Sequence, residues 1–125
     1  MNMNSQSVLK IASIFGFLAV AIGAFGAHGL EDLLEENNRV ATFETAVRYH
    51  FYHTLVLVFV SILMNKSKTK YLAYSVYLFS LGILVFSGSL YVLSLTNITI
   101  LGAVTPLGGL CFLGGWSSLF LASKK

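Results

Sequence analysis

The sequence predicts an all-α fold, a four-transmembrane-helix bundle with a short amphipathic helix between the first and second spans. Hydrophobic residues make up 56 % of the 125-residue chain and charged residues only 10 %, where soluble domains carry about a quarter charged residues. No Asp, Glu, Lys or Arg occurs from Tyr71 to Ser123, an uncharged stretch about twice what one bilayer crossing needs. All five carboxylates and all three histidines lie between His28 and His53, which confines ionisable chemistry to one connector and the helix after it. With a mean hydropathy of +0.78, the chain reads as one integral membrane domain over residues 1–125.

The first apolar run, residues 11–27, is bounded by Lys10 and His28 and covers roughly 26 Å as a helix. Within it Ala12, Gly16, Ala19, Gly23 and Ala27 recur at helical spacing, a smooth stripe suited to the close backbone approach that holds helices together in lipid. Lys10 ahead of an apolar core ending in small residues also resembles a cleavable signal peptide. The spans that follow at once, and the packing stripe itself, favour a retained helix. After Gly29, Leu30, Leu33 and Leu34 share one side of a short helix while Glu31, Asp32, Glu35 and Glu36 face the other, a pattern for a helix lying on the membrane surface. Asn37 and Asn38 interrupt it, and Thr42 is the expected N-cap of the next helix. The second span covers residues 49–64, with Arg48 reaching outward along the helix. Residues 71–95 form the third, with Ser75, Gly82 and Ser89 at intervals of seven. The fourth, residues 100–122, carries Gly102, Gly108, Gly109, Gly114 and Gly115, and the short connector before it implies a hairpin. Pro106 either begins the regular part of this helix or kinks it, relieved by Thr105. Ser87, Ser89 and Thr105 are expected to be polar helix-packing groups.

Lys66, Lys68 and Lys70 crowd the second connector, and positive residues are retained on the cytoplasmic side during insertion. Four spans then put Lys10, Lys124 and Lys125 on that side too. The expectation is a multi-pass protein of the cell membrane with both termini cytoplasmic. Tyr49, Tyr52 and Tyr91 fall near the outer interface, and Tyr71, Tyr74 and Trp116 toward the inner one. The net charge of +3 is scattered, without the basic stripe nucleic-acid binding requires. Cys111 stands alone in an apolar span, which excludes a disulfide framework and predicts a buried, inert thiol.

The candidate site is a polar pocket at the outer end of the bundle, formed by His28, Glu44, Arg48, His50 and His53. His50 and His53 share an H-x-x-H spacing that places two imidazoles on adjacent turns, an arrangement a metal or haem can use. Glu44 and Arg48, however, point almost opposite to them at 100° per residue, so a third ligand would have to come from His28 or an acid of the surface helix. The expectation is structural histidines with no metal and no cofactor, and His28 converging with them in a cavity under the surface helix. No catalytic residues are assigned, because the span serines and threonines have no neighbouring carboxylate to serve as base.

The run Gly23-Ala-Phe-Gly-Ala-His-Gly-Leu30 is followed by Phe43-Glu-Thr-Ala, Tyr49 and Tyr52-His53. Then come Phe86-Ser-Gly-Ser-Leu-Tyr91, Leu101-Gly-Ala-Val-Thr-Pro106, Gly108-Gly109 and Gly115-Trp116. In order and spacing these resemble the small membrane family called domain of unknown function 423, whose relatives are named transmembrane protein 256 in eukaryotes and, in one bacterial member, membrane stabilizing protein A. The resemblance implies a compact helical protein of the bacterial cytoplasmic membrane without an established activity or cofactor, contributing to membrane integrity. It supplies no agreed catalytic residues. The expected function is non-enzymatic support of membrane organisation, with membrane lipids as partners and self-association into a trimer or other small homo-oligomer along the glycine-rich faces. The alternative is a ligand-, ion- or metal-binding or transport protein that uses the polar pocket, and a third reading is a membrane-embedded enzyme.

Overall fold

The computed structural model describes residues 3–124. Helix α1, Ser5–His28, starts well before the apolar run because Asn4 caps it, its Oδ1 accepting from the Ser7 N–H at 2.9 Å. Helix α2, Glu31–Glu36, buries Leu34 and leaves its acids exposed. It ends in a Schellman turn: the Arg39 N–H donates to the Leu34 carbonyl and the Asn38 N–H to the Glu35 carbonyl, with Asn38 left-handed at φ 57°. That turn redirects the chain at once, so helix α3 begins at Val40 and runs to Leu63. Thr42 therefore lies inside the helix and is not its N-cap.

Helix α4, Lys70–Gly82, is capped by Thr69, whose Oγ1 accepts from the Tyr71 N–H. It passes through a π-helical turn, Ile83–Ser87, into α5, Gly88–Thr96, so that Lys70–Thr96 forms one continuous span. Asn97, left-handed at φ 57°, stops it. Helix α6, Leu101–Ala122, carries Pro106 inside its second turn, and the Thr105 hydroxyl lies 3.2 Å from the Leu101 carbonyl. Four spans are long and apolar enough to cross a membrane: Ser5–His28, Val40–Leu63, Lys70–Thr96 and Leu101–Ala122.

The closest backbone approaches pair α1 with α3 and α4 with α6, while α3 also packs along α4, the π turn and α5. The small stripe of α1 makes the first contact. Ala12 and Ala19 are buried, Gly16 faces Thr54, and Gly23 faces Val47. At the last turn Gly26, rather than Ala27, takes the buried place beneath the Phe43 ring. Gly108 lies directly on the backbone of Phe86 in the π turn, where any Cβ would collide. Ser75, Gly82 and Ser89 are all buried as their spacing predicts, with Gly82 against Phe112. An apolar core of Val8, Ala12, Leu57, Val60, Leu72, Val76, Phe79, Ile83 and Phe112 fills the half of the bundle away from α2. Buried polar side chains lie in both halves, Ser61, Ser75 and Ser118 in this one and Ser87, Ser89 and Ser94 toward α2, with His50 and His53 near the middle.

Candidate functional site

Two polar assemblies occur in the bundle, one buried around its middle and one open beside α2. In the buried assembly, His50 faces α1 and α5. Its Nε2 lies 2.9 Å from the Phe15 carbonyl and its Nδ1 2.8 Å from the Tyr91 hydroxyl. A carbonyl can only accept, so Nε2 carries the proton and Nδ1 accepts from Tyr91. His53 faces α4 and α6 with the opposite tautomer. Its Nδ1–H donates to the Tyr49 carbonyl at 2.7 Å, and its Nε2 accepts from the Trp116 indole N–H at 3.2 Å. The His53 ring also stacks on Phe112 with centroids 3.7 Å apart. These tautomers follow from the network of partners. All four ring nitrogens are thereby engaged, and no lone pair is left for a metal without breaking a link between helices.

Three serine and threonine side chains complete this assembly. The Ser87 hydroxyl donates to the Ala46 carbonyl at 2.8 Å, joining the π turn to α3. Ser89 and Thr105 hydroxyls meet at 2.6 Å, joining α5 to α6. The three packing residues expected from the sequence thus each sit at a helix contact.

The open assembly is a groove of about 530 Å³ between α1, α2 and α3. Gly23, Gly26, Leu34, Phe43 and Val47 form its apolar floor, and Glu31, Glu35, Glu44 and Arg48 supply its charges. Among the described residues no carboxylate comes within 4.0 Å of a basic nitrogen. Glu44 and Arg48, one turn apart, therefore form no ion pair, and the Arg48 guanidinium donates to the Thr45 hydroxyl at 3.4 Å. Glu44 and Arg48 do share the groove, but the proposed convergence of histidines does not occur. His28 ends α1 in an exposed position, and His50 and His53 are buried on other sides of α3. The 100° step per residue separates the two sets, and α3 packs on α1, α2, α4, the π turn and α5 at once.

Sequence reasoning missed a latch that closes the α2 end. Asn37 Nδ2 donates to the Ser94 and Leu95 carbonyls at 3.0 and 3.3 Å, satisfying orphan acceptors at the end of α5. The Arg39 Nε–H donates to Asn97 Oδ1 at 2.8 Å, and Asn97 Nδ2 returns a bond to the Asn37 carbonyl. The only hint in the sequence was an asparagine in each of the two connectors. Tyr91 and Trp116, expected at the interfaces, bond to the histidines, with the Trp116 ring still exposed on its outer side, and Cys111 is half-buried rather than fully enclosed. Among the described residues no three His, Cys, Asp or Glu side chains gather as a metal site would require.

Residues 22–109 contain the groove, both histidines, the π turn and the Ser89–Thr105 contact, and they match the family model described as Protein of unknown function (DUF423). The chain belongs to this family. UPF0382 membrane protein YwdK of Bacillus subtilis is 44 % identical over 116 residues, covering 92 % of this chain and 94 % of that relative. UPF0382 membrane protein SH2409 of Staphylococcus haemolyticus is 41 % identical over 121 residues, with 94 % and 98 % covered. UPF0382 inner membrane protein YgdD of Escherichia coli K12 is 35 % identical over 123 residues, with 98 % and 93 % covered. No solved structure matches the chain. A DUF423 chain with four membrane-length helices is a multi-pass membrane protein, and the relatives carry membrane-protein names rather than enzyme names.

Proposed function

We propose that this protein supports the organisation and integrity of the cell membrane without catalysing a reaction. The observation that carries this reading is the use of polar groups inside the spans. His50, His53, Tyr91, Trp116, Ser87, Ser89 and Thr105 all bond to one another or to helix backbone. Such groups rigidify the bundle and leave no nucleophile with a base beside it. Outwardly, α1 and α6 present large apolar side chains such as Phe17, Phe25, Leu110 and Phe120, fit for lipid or for another copy. Self-association in this reading uses those outward faces, because Gly26, Gly82, Gly108 and Gly115 are already covered within the chain.

The lysine-rich second connector and both termini are assigned to the cytoplasm, on the retention of positive charge during insertion. The second reading, a ligand-binding protein, is favoured by the groove and its unpaired Arg48. Cells lacking the protein should leak a membrane-impermeant dye faster than the parent, and a plasmid copy should restore the parental rate. Unchanged leakage under membrane stress in the deletion strain would overturn the proposal.

A further inference from the structure

We infer that the groove between α1, α2 and α3 binds the headgroup of a zwitterionic aminophospholipid, its phosphate on Arg48 and its primary ammonium among Glu31, Glu35 and Glu44. The inference deepens the membrane-organising reading and rests on it.

Arg48 belongs to a membrane-length helix, is exposed to the groove, and among the described residues has only the Thr45 hydroxyl as a side-chain partner. A cation at the margin of the hydrocarbon without a counter-ion is costly, and a guanidinium meets phosphate oxygens through two parallel N–H bonds. Three carboxylates line the same groove, so an anion alone would leave them facing one another without compensation. A simple cation would leave Arg48 unpaired. The ligand must carry both signs.

Their order in depth selects which sign lies where. The Arg48 guanidinium reaches back to the Thr45 hydroxyl, close to the level of Glu44, while Glu31 and Glu35 lie on α2 beyond the start of α3. The α2 carboxylates are therefore the shallowest charges, and the guanidinium lies deeper than they do. A phospholipid has the complementary order: acyl chains in the hydrocarbon, phosphate at its margin, and the amine outermost. The exposed Ala27 and Val40 on the groove wall give the glycerol and upper chain an apolar surface to lie against. A primary ammonium offers three N–H donors to carboxylates, whereas a choline headgroup offers none and a glycerol headgroup offers no charge. Phosphatidylethanolamine has the required chemistry.

The full-length protein, placed in nanodiscs of equal phosphatidylethanolamine, phosphatidylglycerol and phosphatidylcholine, should keep the ethanolamine lipid preferentially after detergent extraction, as read by native mass spectrometry. Arg48→Gln should lower retention of every phospholipid about tenfold, the loss of one charge-assisted contact. The double change Glu31→Gln with Glu44→Gln should abolish the preference for ethanolamine while leaving phospholipid bound. Ala27→Trp, at an exposed position on the groove wall, fills the space without altering charge and should also release lipid, with helix content checked by circular dichroism. The inference is overturned if the wild-type protein shows no ethanolamine preference, if phosphatidylglycerol is retained instead, or if the preference survives in every folded variant. It is equally overturned if the groove holds a second copy, seen as a dimer lost in Arg48→Gln. Lipid retention with normal dye leakage in the deletion strain would reject the broader function and keep the site; leakage without retention would do the reverse.

Discussion

At Gly108 the difference between a hydrogen and a methyl group controls how α6 seats. A Cβ there would run into the backbone nitrogen and Cα of Phe86, neither of which can rotate away. Gly108→Ala should therefore destabilise the protein by about 1–3 kcal/mol, as overpacking does. Gly102→Ala, where nothing lies within 4 Å, should be neutral or stabilising by up to about 1 kcal/mol through helix propensity. Thermal unfolding of both variants in the same detergent would check the contrast. His53 offers a second test, since it accepts from the only tryptophan of the chain and stacks on Phe112. His53→Ala removes the indole's acceptor and opens a cavity beside Phe112, so the tryptophan emission should shift and stability should fall by about 1–3 kcal/mol. Unchanged emission would show that the bond is absent. That His50 and His53 were structural could be argued from their position in a span; which nitrogen each would use, and toward which helix, could not.

Among the elements, the π turn at Ile83–Ser87 sets the rotation of everything that follows it in the third span. One extra residue in that turn lets the backbone at Phe86 accept Gly108 and carries Ser87 to Ala46, Ser89 to Thr105 and Tyr91 to His50. Deleting Val85 would remove that extra residue and restore ordinary helix with α5 at nearly its present rotation, so Ser89 and Tyr91 should keep their partners. Ser87→Ala, which removes the bond to the Ala46 carbonyl, should lower stability by about 0.6–2 kcal/mol, read by thermal unfolding. No composition signal marks such a turn, because its cause is the neighbour and not the local residues. The asparagine latch behaves alike. Asn97→Gly tolerates the left-handed backbone but removes the bonds to Arg39 and Asn37. Hydrogen exchange in residues 37–39 should accelerate, while the α4–α6 core stays protected. The start of α3 was misjudged for the same reason, since Asn38 turns the chain before Thr42 can cap it.

For the whole molecule, charge is segregated by end. Asn37 touches Asn97, which places the first and third connectors together, and Met3 to Gln6 share a cavity with residues 64–70 at the opposite end. Every carboxylate belongs to the first end, and the lysine-rich connector to the second. In a Cys111→Ala background, a thiol at Glu36→Cys should react with an impermeant reagent on whole cells, and one at Ser67→Cys should not. The reverse would invert the assigned orientation. Four spans, an acidic surface helix, the packing stripe of α1 and the family motifs were all legible in the amino-acid order. Transfer of each residue into lipid is nearly a local property, and hydrocarbon admits only helices that satisfy their own backbone. The sharing of one groove by Glu44 and Arg48, the separation of His28 from His50 and His53, and the bonds of Tyr91 and Trp116 to the histidines depended on how each helix rotates about its axis. Rotation is set by contacts between residues distant in the chain, such as Gly108 with Phe86 and Gly26 with Phe43, so it emerges only once the helices are packed.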